Sequence, residues 1–302
     1  MKIYISYLLI LLLIPELLSC QEKSEFSENQ KILIHTKEFN DYWYSGKAEL
    51  DAYNLKQARY GEIHDGKAVL IFVTEPFSRS KQVKLDYPEK YGVDKQSVLK
   101  LNFTKKFTTG IYPYSMMMSA FTPVEEANPS PKISMSSQEW CGHVYSQLNL
   151  NKENYHLSSF SYFEQEGDLE KDIPAGLLED ELWNLIRINP DKLPIGDLQI
   201  IPSLFHTRLL HKELKAKSVH ASMVKHEDYN VYSLEYPDDK RVISITFENQ
   251  FPFKVLSWRE KIVGLDGKEI ITSAVLDKTL VIDYWSKHKN SDRYLRDSLN
   301  LE

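Results

Sequence analysis

From residue 47 onward, apolar and polar residues alternate in short runs separated by turn formers. Alternation with a period of two puts every second side chain on one face of a pleated strand, so each run predicts a half-buried strand. Strands are predicted over 54–63, 68–74, 97–107, 112–122, 132–148, 155–163, 215–225, 230–236, 241–248, 255–263 and 269–276. Two of the breaks read Asp65-Gly66 and Asp266-Gly267, a dipeptide that supplies the two φ > 0 positions of a type I′ hairpin turn. Pro237-Asp238-Asp239-Lys240 reads as a further turn. Such spacing favours an antiparallel meander over a βαβ fold.

One segment changes period. Leu177, Leu178, Leu182, Leu185 and Ile186 recur at helical spacing, and Glu179, Asp180 and Glu181 fall on the face expected to meet solvent. Pro174 suits the first turn, where a missing N–H costs nothing, and Asn189-Pro190 ends the run. A helix is therefore predicted over 175–188, followed by a connector over 190–202 rich in Pro and Gly. The connector divides a β-rich domain, 41–302, into halves 41–173 and 203–302; one continuous sheet through both satisfies the same pattern.

The first twenty residues follow neither period. Lys2 precedes an apolar run from Ile3 to Ile14, which Pro15 ends. That run is shorter than the about 20 residues a spanning helix needs and suits the apolar region of an export signal. Leu17-Leu18-Ser19-Cys20 resembles the lipobox of bacterial lipoproteins, with an aliphatic residue at −3, a small one at −1 and the obligatory cysteine. The resemblance implies removal of residues 1–19, diacylglycerol on the Cys20 sulfur and acylation of the new amine. Two or three acyl chains anchor stably where one binds only marginally. Leu18 is bulkier than the usual −2 residue, and Glu16 is an uncommon acid so near the site. By resemblance to Gram-negative sorting rules, Gln21, standing where an Asp would retain the chain at the inner membrane, favours an outer-membrane lipoprotein, on either its periplasmic or its surface side. Residues 20–40 begin polar and acidic and are expected to form a flexible tether.

The net charge of −6 argues against nucleic acid, whose binders present a basic face. With Cys20 acylated, Cys141 is the one remaining thiol, so no intrachain disulfide can form. The domain must be held by its core, and an aromatic content of 12%, including 18 Tyr, suits a β-rich one.

Chemical motifs are sparse. Trp140-Cys141-Gly142-His143 resembles the Trp-Cys-Gly-His-Cys site of disulfide isomerases, but Val144 occupies the place of the resolving cysteine. Cys141 and His143, two apart, share one face if they lie on a strand, so a nucleophile–base pair of a hydrolase is the alternative to a structural, half-buried Cys. A metal would need a third ligand, for which His156 is the nearest candidate; no metal or cofactor is expected. His206, His211, His220 and His226 lack metal-binding spacing and are expected to be solvated. Met116-Met117-Met118 cannot converge on Cu(I) from one strand, because Met117 faces away from its neighbours.

Several blocks resemble a family of uncharacterised envelope lipoproteins of Gram-negative bacteria: Asp41-Tyr42-Trp43-Tyr44-Ser45-Gly46-Lys47-Ala48-Glu49, Gln57-Ala58-Arg59-Tyr60-Gly61-Glu62, Thr109-Gly110-Ile111-Tyr112-Pro113-Tyr114-Ser115 and Gln138-Glu139-Trp140-Cys141-Gly142-His143-Val144. The similarity continues through Glu181-Leu182-Trp183 and Arg187-Ile188-Asn189-Pro190 to Leu295-Arg296-Asp297-Ser298-Leu299. Some members carry the label septum formation inhibitor Maf. Maf pyrophosphatases resemble one another in a Ser-x-Ser-Pro-Arg-Arg loop on a Rossmann-like fold, and this chain has neither. The expected fold is mainly β: a large curved antiparallel meander, similar to the half-barrel of periplasmic lipoprotein carriers, with one internal helix and a short C-terminal segment. The expected function is non-enzymatic: a membrane-anchored protein that binds a lipid or other hydrophobic small molecule, or serves as an envelope scaffold. Phe103, Met116, Met118 and Phe121 would line the ligand side; a hydrolase using Cys141 and His143 is the alternative.

Overall fold

The computed structural model describes residues 36–125, 129–264 and 267–301. Cys20, the lipobox and the tether up to residue 35 lie outside the described residues. The described residues form fifteen strands, β1 (Ala48–Arg59), β2 (Glu62–Ser78), β3 (Lys95–Thr109), β4 (Tyr112–Pro123), β5 (Lys132–Glu139), β6 (Gly142–Asn151), β7 (Asn154–Ser161), β8 (Leu169–Pro174), β9 (Leu177–Leu178), β10 (Gly196–Ile201), β11 (Lys217–Lys225), β12 (Tyr229–Tyr236), β13 (Arg241–Glu248), β14 (Val255–Val263) and β15 (Glu269–Ile282). Four short helices accompany them: α1 (Lys37–Trp43), α2 (Leu182–Ile188), α3 (Leu204–Leu210) and α4 (Tyr294–Ser298).

All strands join one open, curved sheet, ordered β8-β7-β6-β5-β4-β3-β2-β1-β15-β14-β13-β12-β11-β10-β9. Every pairing is antiparallel except β9 with β10. β1 pairs with both β2 and β15, so the two expected halves are one sheet. Its ends, β8 and β9, do not pair. Only Ala175 and Gly176 separate them in the chain, and at about 3.3–3.6 Å per residue this short link forces the sheet to curl until its edges approach.

The curl is filled from inside. Phe103 on β3 packs edge-on against Trp183 of α2 at 5.2 Å, Phe205 of α3 at 5.4 Å and Trp258 of β14 at 5.2 Å. Strand residues from both expected halves thus share a core with α2 and α3. Asn184 of α2 donates to Leu99 O and Thr122 Oγ1, each at 2.9 Å, tying the helix to the sheet's inner wall. On the outer face, Leu299 beyond α4 covers Ala48, Leu50, Ala52 and Val73.

Several expectations are corrected. Lys37–Asn40, read as the end of the tether, is the start of α1, capped by Thr36 and buried through Phe39. Asp65-Gly66 is not a turn. The hairpin turns at Tyr60-Gly61, both at positive φ, and Gly66 sits mid-strand because Phe107 lies across it; a Cβ there would come within 2.4 Å of Lys106 O. The second Asp-Gly does fall between β14 and β15, with Gly267 at φ +76°, although Asp266 lies outside the described residues. The run 132–148 is two strands hinged at Trp140-Cys141. The helix expected over 175–188 begins only at Leu182, because Pro174 and Leu177–Leu178 are extended strand. The connector over 190–202 contains β10, and the sequence reading missed β8 and α3.

Candidate functional site

Glu179, Asp180 and Glu181, expected on a solvated helix face, are all buried at the centre of the molecule. They form a single 3₁₀ turn between β9 and α2; Glu179 and Asp180 line the interior of the curl, while Glu181 accepts from the backbone of Leu178 and Ser130. Glu179 takes a two-pronged contact from Arg241 of β13, at 2.6 and 2.5 Å, and accepts from the Tyr236 hydroxyl at 2.5 Å. Arg241 Nε reaches Glu260 Oε1 at 2.6 Å, and His206 Nδ1 meets the same oxygen at 2.8 Å. His206, expected to be solvated, is therefore buried and paired, whereas His211, His220 and His226 are exposed.

Burial alone would raise the carboxyl of Glu260, but Arg241 and His206 outweigh it and hold Glu260 well below the usual range. Asp180 lacks such a partner. Burial pushes it up to about 7 against the hydrogen bonds it accepts at the N-terminus of α3. Lys105 is pulled down by burial and stacks over Phe103 and Phe205. These groups enclose a cavity of about 20 Å³. A void of that size is on the scale of one water, far short of an acyl chain. A second buried cluster closes the opposite end of the curl. There Arg187 binds Glu49 at 2.6 Å and outweighs burial to hold that carboxyl low, whereas burial and then the neighbouring Glu49 charge raise Asp51.

The residues expected to line a hydrophobic ligand divide between the faces. Phe103, Met116 and Met118 point inward but are packed in the core, each no more than 2% exposed. Phe121 points outward and stacks on Phe77 at 4.9 Å, since three residues along a strand reverse the face. Cys141 is exposed in the β5–β6 turn, not half-buried on a strand. Hydrogen bonding to Glu139 pushes its thiol up, which disfavours the thiolate a nucleophile needs. His143 is exposed at the start of β6, and His156 pairs across the sheet with Asn149 and is held by Asp172 and Glu170. The geometry therefore does not assemble Cys141, His143 and His156 into one site.

What the Trp-Cys-Gly-His string does build is a surface. The turns β1–β2, β3–β4 and β5–β6 and the loop after β7 all lie at one end of the sheet, opposite α1. Their tips expose Tyr60, Ile111, Trp140 and Tyr162, each more than 60% accessible. Tyr112 links them: its hydroxyl donates to Tyr60 at 3.1 Å, and its ring stacks beside Trp140 at 6.5 Å. Gly142 lets the Tyr162 ring lie against the backbone; a Cβ there would fall 2.7 Å from the ring. Below this aromatic rim, the outer face of β4, β5 and β6 carries an open trough of about 470 Å³, walled by Met117, His143 and Tyr145.

No protein-family model matches the chain, and no curated protein and no solved structure matches it.

Proposed function

We propose that this chain is a lipoprotein of the bacterial outer membrane, held by acyl chains on Cys20, whose β-domain works through its outer surface as a scaffold or binding module. The lipobox-like Leu17-Leu18-Ser19-Cys20 supports the anchor. No helix among the described residues is long and apolar enough to cross a membrane, so the anchor supplies the attachment in this reading. The observation that carries the choice of scaffold over lipid carrier is the interior: α2 and α3 occupy the space a carrier would keep open, leaving about 20 Å³. The aromatic rim lies at the end of the sheet remote from α1.

Organic extraction of the purified protein, followed by mass spectrometry of extract and residue, tests this reading. The expected result is acyl chains bound covalently to the N-terminal cysteine and no stoichiometric lipid in the extract. One equivalent of extractable lipid would restore the carrier; a Cys20 without acyl chains would remove the anchor.

A further inference from the structure

The trough on the outer face of β4–β6 differs in its hydrogen bonding from the sheet around it. Elsewhere on this face polar side chains pair with one another: Ser119 donates to Asn102 at 2.7 Å, and Asn149 donates to Gln82 at 2.6 Å. In the trough, Ser115, Ser136, Gln138 and His143 are exposed, and their side chains make no hydrogen bond to any described residue. The register explains why they converge. Ser115 opposes Gln138 and Gln138 opposes His143 in one row, while Met117, Ser136 and Tyr145 form the next. Short serines at diagonal positions leave a floor of backbone, and taller Met117, His143 and Tyr145 stand around it.

The lining selects a chemistry. None of the nine lining residues is Asp, Glu, Lys or Arg; Lys106, opposite Ser115 on β3, is a charge beside the trough rather than in its lining. A lipid tail would strand the hydroxyls, amide and imidazole without partners. A ligand rich in hydroxyls with an apolar C–H face satisfies both the polar groups and the aromatic walls. Tyr145 lies directly across from Phe160, which is 50% exposed, so two adjacent rings extend the platform along the sheet. The volume of about 470 Å³ lies within the roughly 300–1,000 Å³ usual for small-molecule sites.

We propose that this trough binds a short, neutral oligosaccharide, with Ser115, Ser136, Gln138 and His143 hydrogen-bonding its hydroxyls and Tyr145 with Phe160 packing on its ring faces. This deepens the reading of a module that works through its outer surface. The experiment is calorimetric titration of the full-length lipoprotein, in a detergent without sugar headgroups, with cellotriose, maltotriose and triacetylchitotriose and with their monosaccharides. At least one trisaccharide is expected to bind with a Kd below about 1 mM and at least tenfold more tightly than its monosaccharide. Ser136→Trp, which fills the trough from an exposed position, and Gln138→Ala, which removes a bonding group without adding bulk, should each weaken it at least tenfold with an unchanged circular dichroism spectrum. Binding of none of the three trisaccharides overturns the proposal, as does undiminished binding by Gln138→Ala. Such a failure would leave the filled interior intact, because lipid extraction reads the inner face and this titration the outer one.

Discussion

Arg241→Met is the substitution that probes the buried network most sharply. The Arg241 side chain is 1% exposed and faces Glu179 at 3% and Glu260 at 14%. Methionine fills similar volume but leaves Glu179 without its cation and Glu260 with His206 alone at hydrogen-bond distance. Breaking a buried pair from one side costs about 3–5 kcal/mol. A domain of this kind has a total stability of about 5–15 kcal/mol, so the variant should remain folded but lose a large share of its margin. At about 2–4 °C per kcal/mol, the midpoint of thermal unfolding should fall by about 6–20 °C. Urea unfolding read by tryptophan fluorescence suits the assay, since Trp183 and Trp258 meet at 5.4 Å within the same core. The pH dependence adds a second arm. In the wild type, burial raises Glu179 but Arg241 outweighs it and keeps Glu179 below its ordinary value. Without Arg241, burial and the Glu260 charge are opposed only by the weaker pull of His206, and the folded-state value rises above the unfolded one. Stability is then fully present below the unfolded pKa and lost as pH rises, so the variant's deficit should shrink from pH 8 toward pH 5. Glu179→Gln added to Arg241→Met should recover part of the loss at pH 8. A deficit under about 1 kcal/mol, or one equal at pH 5 and pH 8, would refute the buried-network reading.

Asp180→Asn should stabilise the protein above neutral pH. Its carboxyl, raised to about 7, favours the folded state only while protonated; that contribution is full below the unfolded value near 4 and fades as pH rises through about 7. The asparagine variant should therefore unfold at higher urea than wild type at pH 8 and show no advantage at pH 3.5; a loss at pH 8 would contradict this. Gly66→Ala should cost about 1–3 kcal/mol in the same urea assay, because its Cβ meets Lys106 O and Phe107 within a paired strand; a change under about 0.5 kcal/mol would place Gly66 away from Phe107.

The strands were legible because their alternation is a local property, and β3, β4, β12 and β13 lie within about three residues of their expected bounds. The centre of the molecule was not legible. Charged residues are placed at the surface by default, and nothing near Glu179 signals that its partner, Arg241, is 62 residues away in the chain. The same blindness applied to His206, whose partner Glu260 belongs to a strand on the far wall. Asp65-Gly66 misled because Asp-Gly reports a turn only when both residues take positive φ; here Gly66 is needed for close approach of Phe107, while Tyr60-Gly61 makes the turn. β10 was hidden in a stretch whose Pro and Gly suggested a connector, and only its pairing with β11 makes it a strand. The aromatic rim had a trace in the sequence, an aromatic or β-branched residue at each break between strands. Its continuity depends on side chains from four separate hairpins.

The filled interior is tested most directly by hydrogen–deuterium exchange along α2 and α3. If these helices are permanent core, the amides of Leu185–Asn189 should exchange as slowly as those of β3, since opening them requires global unfolding. A helix that swings out to admit a lipid would exchange more than about a hundredfold faster than β3, a local opening about 2.7 kcal/mol easier, and would contradict the reading of this domain as a closed scaffold.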